Sequence, residues 1–204
     1  MTEYVLDGTR VRLEDHPEVY PPGDDTFLML RAVRDAGGRV LELGTGSGLI
    51  AIFLAMHGSE VLATDMNPWA VRLASRNAAL NGVRLEVLRA DLFEGIRGRF
   101  DAVIFNPPYL PTAPTDVTGD RWLDASVNGG SDGQEHLRRF LAGLSAHLAR
   151  GGRGYVVASS LSGGMPRPPA GLHCRVAASA RLEYEQLRVH ELRANEAHRK
   201  EGAH

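Results

Sequence analysis

The chain has 204 residues, 43% of them hydrophobic, which suits one domain with a full core. Its formal net charge of −2 lacks the positive excess of a dedicated nucleic-acid binder. Cys174 is the only cysteine, so an intrachain disulfide and a thiolate metal cluster are both excluded.

The N-terminus is polar at Thr2–Glu3 and again from Asp7 to Arg12, and carries no signal-peptide pattern. Asp24-Asp-Thr-Phe-Leu-Met-Leu30 predicts a capped helix ahead of a sheet. Arg39–Leu43 and Glu60–Asp65 read as buried strands, and Arg84–Leu88 and Phe100–Phe105 follow in the same style. The apolar run Leu49–Met56 between the first two is far shorter than the roughly 20 residues of a membrane span. Asn67-Pro68 sets an N-cap with proline at the first helical position, and Asn81-Gly82 ends that helix. Leu137, Phe140, Leu141, Leu144 and Leu148 form an apolar stripe at helical spacing, which Gly151-Gly152 is expected to stop. A strand at Gly154–Ala158 and a last one at Tyr184–Glu191, paired with another near Leu172–Ala178, complete the series. The tail from about 193 to 204 is polar and expected to fray, leaving a core of about 20–192 in a single domain. His16, His57, His136, His147 and His173 follow no metal-ligand spacing and are placed in loops or on helix surfaces, so no metal site is expected. Strand and helix alternating in this way imply an α/β fold with a parallel sheet covered on both faces. Ligands of such sheets bind at the carboxyl ends of the strands, near the switch in strand order.

Leu41-Glu-Leu-Gly-Thr-Gly-Ser-Gly48 ends the first of these strands and opens a helix. Its Gly-x-Gly-x-Gly spacing, set by Gly44, Gly46 and Gly48, differs from the Gly-x-Gly-x-x-Gly turn of nicotinamide enzymes. Glu42 would repel a pyrophosphate but can meet the cationic methionine end of S-adenosylmethionine (SAM). Asp65, about 20 residues further on, stands where a carboxylate accepts ribose hydroxyls. Its alternative role is to cap the helix beginning near Pro68. Asp91, after the third of these strands, can reach an adenine amino group or be a surface carboxylate.

Asn106-Pro-Pro-Tyr109 directly follows the fourth. Alone, Asn-Pro signals a turn. At the carboxyl edge of a sheet with a SAM-type turn, it fits transfer to a planar nitrogen whose lone pair is delocalised. The side-chain carbonyl of Asn106 and the backbone carbonyl of Pro107 can each accept one N–H of an NH₂ group. Pro107 and Pro108 stiffen the backbone that carries them, and Tyr109 offers a flat face to the planar group. No strong base is needed when positioning supplies much of the rate.

These segments resemble the HemK/PrmC family of release-factor glutamine methyltransferases, in particular its short archaeal and eukaryotic branch. Val19-Tyr-Pro-Pro-Gly-Asp-Asp-Thr-Phe-Leu-Met-Leu30, the glycine turn, Thr64-Asp-Met-Asn-Pro68, Ala90-Asp-Leu92, Asn106-Pro-Pro-Tyr109 and Gly129-Gly-Ser-Asp-Gly133 occur in family order over roughly Tyr20 to Ala158. The resemblance implies a Rossmann-like seven-strand class I SAM-dependent methyltransferase fold. It places Thr26, Glu42, Gly44, Thr45, Gly46, Asp65, Met66, Asp91, Leu92 and Asn106 around SAM. It implies that Asn106 holds the glutamine of a Gly-Gly-Gln loop in a class I peptide chain release factor. A small zinc-binding activator subunit forming a heterodimer is the partner implied, and the cytoplasm the location. Adenine N6 in DNA or RNA, or another protein side chain, is the alternative acceptor.

The chain departs from the family at Ser162–Gly171, a proline-rich stretch that reads as a loop or shortened helix. Pro111–Asn128 is polar and irregular, either a substrate loop or a connection.

Overall fold

Two short strands, β1 (Thr2–Leu6) and β2 (Thr9–Leu13), open the chain as an antiparallel hairpin. Asp7 and Gly8 between them both have positive φ, the geometry that Asp-Gly favours in a two-residue hairpin turn. The polar sequence of this stretch predicts no element, yet Val11 and Leu13 are fully buried against Leu49, Ile52 and Ala78. The structure, a computed structural model, describes residues 1–112 and 119–194.

The main body alternates as expected. Helix α1 (Asp24–Val33) leads to β3 (Arg39–Leu43), α2 (Leu49–Met56), β4 (Glu60–Asp65), α3 (Pro68–Leu80), β5 (Glu86–Arg89) and β6 (Phe100–Phe105). Then come α4 (Arg121–Val127), α5 (Glu135–His147), β7 (Leu148–Ser159), β8 (Leu172–Arg181) and β9 (Gln186–Ala194). Seven strands form one sheet in the order β5-β4-β3-β6-β7-β9-β8, parallel except where β9 runs against β7 and β8. The strand order reverses between β3 and β6, which sit side by side with Leu43 opposite Phe105.

Side chains alternate between the two faces of this sheet. Val40, Ala102, Ile104 and Val157 pack towards α1 and α2, while Leu41, Leu43, Val103, Phe105 and Val156 pack towards α5. Leu137, Phe140, Leu141 and Leu144 are the buried stripe of α5. Asn67 caps α3 by accepting from Trp69 N at 2.9 Å with proline at the first helical position, as predicted. Among the described residues no helix is long and apolar enough to cross a membrane.

Three expectations need correction. Helix α5 ends at His147 rather than at Gly151-Gly152, because buried Leu148 turns extended and begins β7 opposite Phe100. His173 lies in β8, neither in a loop nor on a helix. Pro111–Asn128 is not irregular throughout: Asp120 accepts from Trp122 N and Leu123 N, both at 3.1 Å, and so caps α4. Its residues 113–118, like the tail from 195 onward, lie outside the described residues. Ser162–Gly171 is a loop after a single 3₁₀ turn, as its prolines demand.

Candidate active site

The carboxyl ends of β3, β4, β5 and β6 open into one cleft of about 360 Å³. It contains every sequence-predicted site residue, from Thr26 on α1 and the Glu42–Gly46 turn through Asp65, Met66, Asp91 and Leu92 to Asn106–Tyr109. Five carboxylates line it (Asp24, Asp25, Glu42, Asp65 and Asp91), with no lysine or arginine among the described lining residues. Such a wall favours a cationic ligand and disfavours phosphate.

Glu42 owes its place to strand parity. It shares a face with Val40, so its side chain meets the start of α2, where Oε2 accepts from Ala51 N at 3.1 Å and from Thr45 Oγ1 at 2.6 Å. Only 4% of it is exposed. Burial pushes its carboxyl up to about 8; the bonds from Thr45 and Ala51 oppose the shift, and Asp65 adds to it. Thr45 N also donates to Thr64 O at 2.9 Å, tying the turn to β4. Gly44 and Gly46 take φ of 64° and 56°, left-handed values that a side chain would strain.

Asp65 braces both neighbouring segments. Its Oδ2 accepts from Gly46 N at 2.9 Å and its Oδ1 from Asn67 N at 2.9 Å. The helix cap itself is Asn67, so capping α3 is not its task. Burial raises its carboxyl above the usual range, against these backbone bonds. Asp91 lines the cleft but is already paired, its Oδ2 lying 2.7 Å from Arg139 of α5. Leu92 beside it has φ of 50°, a costly conformation for a branched side chain and the kind of strain found at ligand sites. Met66 is 41% exposed on the cleft's wall, and Thr26 Oγ1 accepts from Gly23 N at 3.2 Å where α1 begins.

Asn106 is the focus of the site. Its Nδ2 donates to Asp25 Oδ2 at 3.0 Å. Its Oδ1 is buried and has no hydrogen-bond partner, the one such side-chain atom among the described residues. A buried carbonyl left unpaired costs roughly 1 to 3 kcal/mol, so this oxygen stands ready for a hydrogen-bond donor. Tyr109 OH lies 3.5 Å from the same Asp25 oxygen. Burial, reinforced by Asp25, holds its phenol protonated well above the usual range. Gly133 packs directly behind the tetrapeptide: a Cβ there would stand 2.4 Å from Tyr109 O and 2.7 Å from Ser162 Cβ.

Asp25 is a site residue that its sequence context does not single out, although it stands next to Thr26 in the opening segment. Nor do their contexts single out His136, Trp122 and Leu187, which line the cleft from α5, α4 and β9. His136, expected in a loop or on a helix surface, is on α5 but half-buried, and burial lowers its pKa. Asp120, three residues ahead of the helical Leu123, is the signal that would have revealed α4 and Trp122. Among the described residues no cluster of side chains fits a metal ion.

The methyltransferase small domain family matches residues 22–122. A protein of Methanocaldococcus jannaschii, named as a candidate protein N5-glutamine methyltransferase, is 40% identical over 191 residues, 91% of this chain and 96% of its own. The release factor glutamine methyltransferase of Deinococcus radiodurans is 40% identical over 153 residues, 70% of this chain and 55% of that enzyme. Among solved structures, the Thermus thermophilus 16S rRNA N2 G1207 methyltransferase in complex with AdoMet and guanosine superposes with a TM-score of 0.66 at 19% identity. It covers 94% of this chain and 50% of that one, a likeness of fold.

Proposed function

The chain belongs to the protein N5-glutamine methyltransferase family, and from that membership we propose that it methylates the side-chain amide of the glutamine in the Gly-Gly-Gln motif of a peptide chain release factor. It is a SAM-dependent methyltransferase of the class I fold. The cleft fits that cofactor: its carboxylates suit a sulfonium and an ammonium, and its volume lies within the range of cofactor pockets. SAM bound there supplies the methyl group as an electrophile.

The chain's own residues then do the positioning. In this reading Glu42 answers the cationic methionine end and Asp65 the ribose hydroxyls. Met66, Asp91 and Leu92 surround the adenine, and Thr26, Gly44, Thr45 and Gly46 complete the cradle. The observation that carries the proposal is the unpartnered Oδ1 of Asn106. It accepts one N–H of the glutamine amide, Pro107 O accepts the other, and Tyr109 stacks on the amide plane. Anchoring both N–H bonds in this way holds the nitrogen in line for attack and favours localising its lone pair on nitrogen as the methyl is transferred. The proton leaves after the methyl has moved, so no general base is required.

The acidic lining, in which only Asp91 has an arginine partner among the described residues, also counts against adenine in DNA or RNA, whose phosphates would meet carboxylates. A small zinc-binding activator subunit is the second partner in this reading. The sheet has edges available at β5 and β8, where Leu88 is 41% and Val176 49% exposed. We place the protein in the cytoplasm, where release factors act. The test offers release factor, DNA and RNA in parallel to the enzyme and labelled SAM, with and without such a subunit. Label on the release factor, lost when its Gly-Gly-Gln glutamine is replaced, is the expected result. Label on nucleic acid alone would overturn the substrate.

A further inference from the structure

We propose that Asp25 is a positioning residue that fixes the orientation of the Asn106 amide, so that its carbonyl rather than its NH₂ is presented to the acceptor. The inference rests on the reading of Asn106 as the group that accepts a substrate N–H. An asparagine amide is nearly symmetric in shape, and a half-turn exchanges a hydrogen-bond acceptor for two donors. Presented the wrong way round, Asn106 would point N–H groups at the N–H groups of its substrate.

Asp25 removes that ambiguity. Its Oδ1 is held by Thr26 N at 2.7 Å and lies 3.3 Å from Thr26 Oγ1, at the first turn of α1. The helix N-terminus favours a carboxylate there. Oδ2 is thereby aimed at Asn106 Nδ2, 3.0 Å away, with Tyr109 OH at 3.5 Å. A carboxylate only accepts hydrogen bonds, so it attracts the NH₂ of Asn106 and repels its carbonyl. The carbonyl is left without a protein partner. One carboxylate therefore sets the polarity of the site and ties Tyr109 to the same anchor.

The sharp test is Asp25→Asn, which keeps shape but not polarity. The new oxygen stays on Thr26 N, because that amide needs an acceptor, so the new NH₂ faces Asn106. Asn106 must then rotate its amide by a half-turn, presenting its own NH₂ to the substrate. Asp25→Ala merely frees the Asn106 amide to rotate. A structural role for Asp25 makes the alanine variant the worse of the two; a positioning role makes the isosteric asparagine variant the worse.

Each variant is assayed for kcat and KM with release factor, for SAM affinity by calorimetry and for thermal unfolding. Asp25→Asn is expected to lower kcat at least about 100-fold with SAM affinity within about threefold, the size of losing one preorganised hydrogen bond. Asp25→Ala should lose less. Adding Asn106→Asp to Asp25→Asn restores an acceptor on both sides and should recover about 10-fold. Unchanged kcat in Asp25→Asn, a worse alanine variant, no recovery in the double variant, or loss of folding in both single variants would each overturn the role. Asn106→Ala separates the two levels. Retained transfer there would remove the reading of Asn106 itself, whereas lost transfer with a fully active Asp25→Asn would remove only Asp25.

Discussion

Burial holds a proton on Glu42 well above the usual carboxyl range, and in the proposed reading the cationic end of SAM has to displace it. Its carboxyl titrates near 8 in the folded chain against an ordinary 4.5, because burial disfavours the anion. The neutral form is thus the stable one. Its contribution to stability is complete below about pH 4.5 and is lost as pH rises through about 8. Glu42→Gln keeps the acceptor for Thr45 and Ala51 but cannot ionise. In urea titrations it should match the native chain near pH 4 and exceed it above pH 8. SAM binding should release this proton. Between pH 6 and 8 the affinity advantage of the native chain over Glu42→Gln should grow by up to about 10-fold per unit, then level off. A pH-independent advantage in calorimetry would remove Glu42 from the cation's neighbourhood. Asp65→Ala should weaken SAM about 10- to 100-fold and also destabilise the chain by about 1 to 3 kcal/mol. The second effect follows because the amides of Gly46 and Asn67 lose their acceptor. SAM affinity unchanged in calorimetry would confine Asp65 to bracing the turn.

At the scale of elements, the glycine-containing turns are demanding to different degrees. Gly46 has open space where a Cβ would stand, so Gly46→Ala should cost only about 1 to 2 kcal/mol for its left-handed backbone. Gly133 is left-handed too, with φ of 72°, and a Cβ there would overlap Tyr109 O and Ser162 Cβ. Gly133→Ala should therefore lose clearly more stability and displace Asn106-Pro-Pro-Tyr109. Equal losses in chemical denaturation would show that the loop gives way more easily than its packing suggests. Elements with strong periodicity or caps were legible in the sequence, among them β3, β4, β6, α3 and the stripe of α5. What escaped depended on distant contacts. The end of α5 is decided by Leu148 pairing with Phe100, which no local signal at Gly151-Gly152 reports. The hairpin of β1 and β2 was announced by Asp7-Gly8, but its five-residue strands owe their burial to α2 and α3.

For the molecule as a whole, the switch in strand order between β3 and β6 brings Glu42, Asp65, Asp91 and Asn106 together from 65 residues of chain. The residue types and their order were legible, because the chemistry of a cationic cofactor and a planar acceptor demands carboxylates and a fixed carbonyl. The partners of those residues were not. Arg139 pairs with Asp91 and Asp25 holds Asn106 across separations of 48 and 81 residues, and neither spacing carries a period. The acidic cleft as a whole was also hidden behind a net charge of only −2, because no arginine is among its described lining residues and Arg139 reaches it only through Asp91.

Asn106→Ala, assayed for methyl transfer to release factor and, by calorimetry, for SAM affinity, tests the proposed role of the site most directly. Loss of about 100-fold or more in kcat with SAM affinity within a few fold is the result predicted for a carbonyl that serves the acceptor alone. Retained transfer, or SAM binding that collapses in a folded protein, would contradict it.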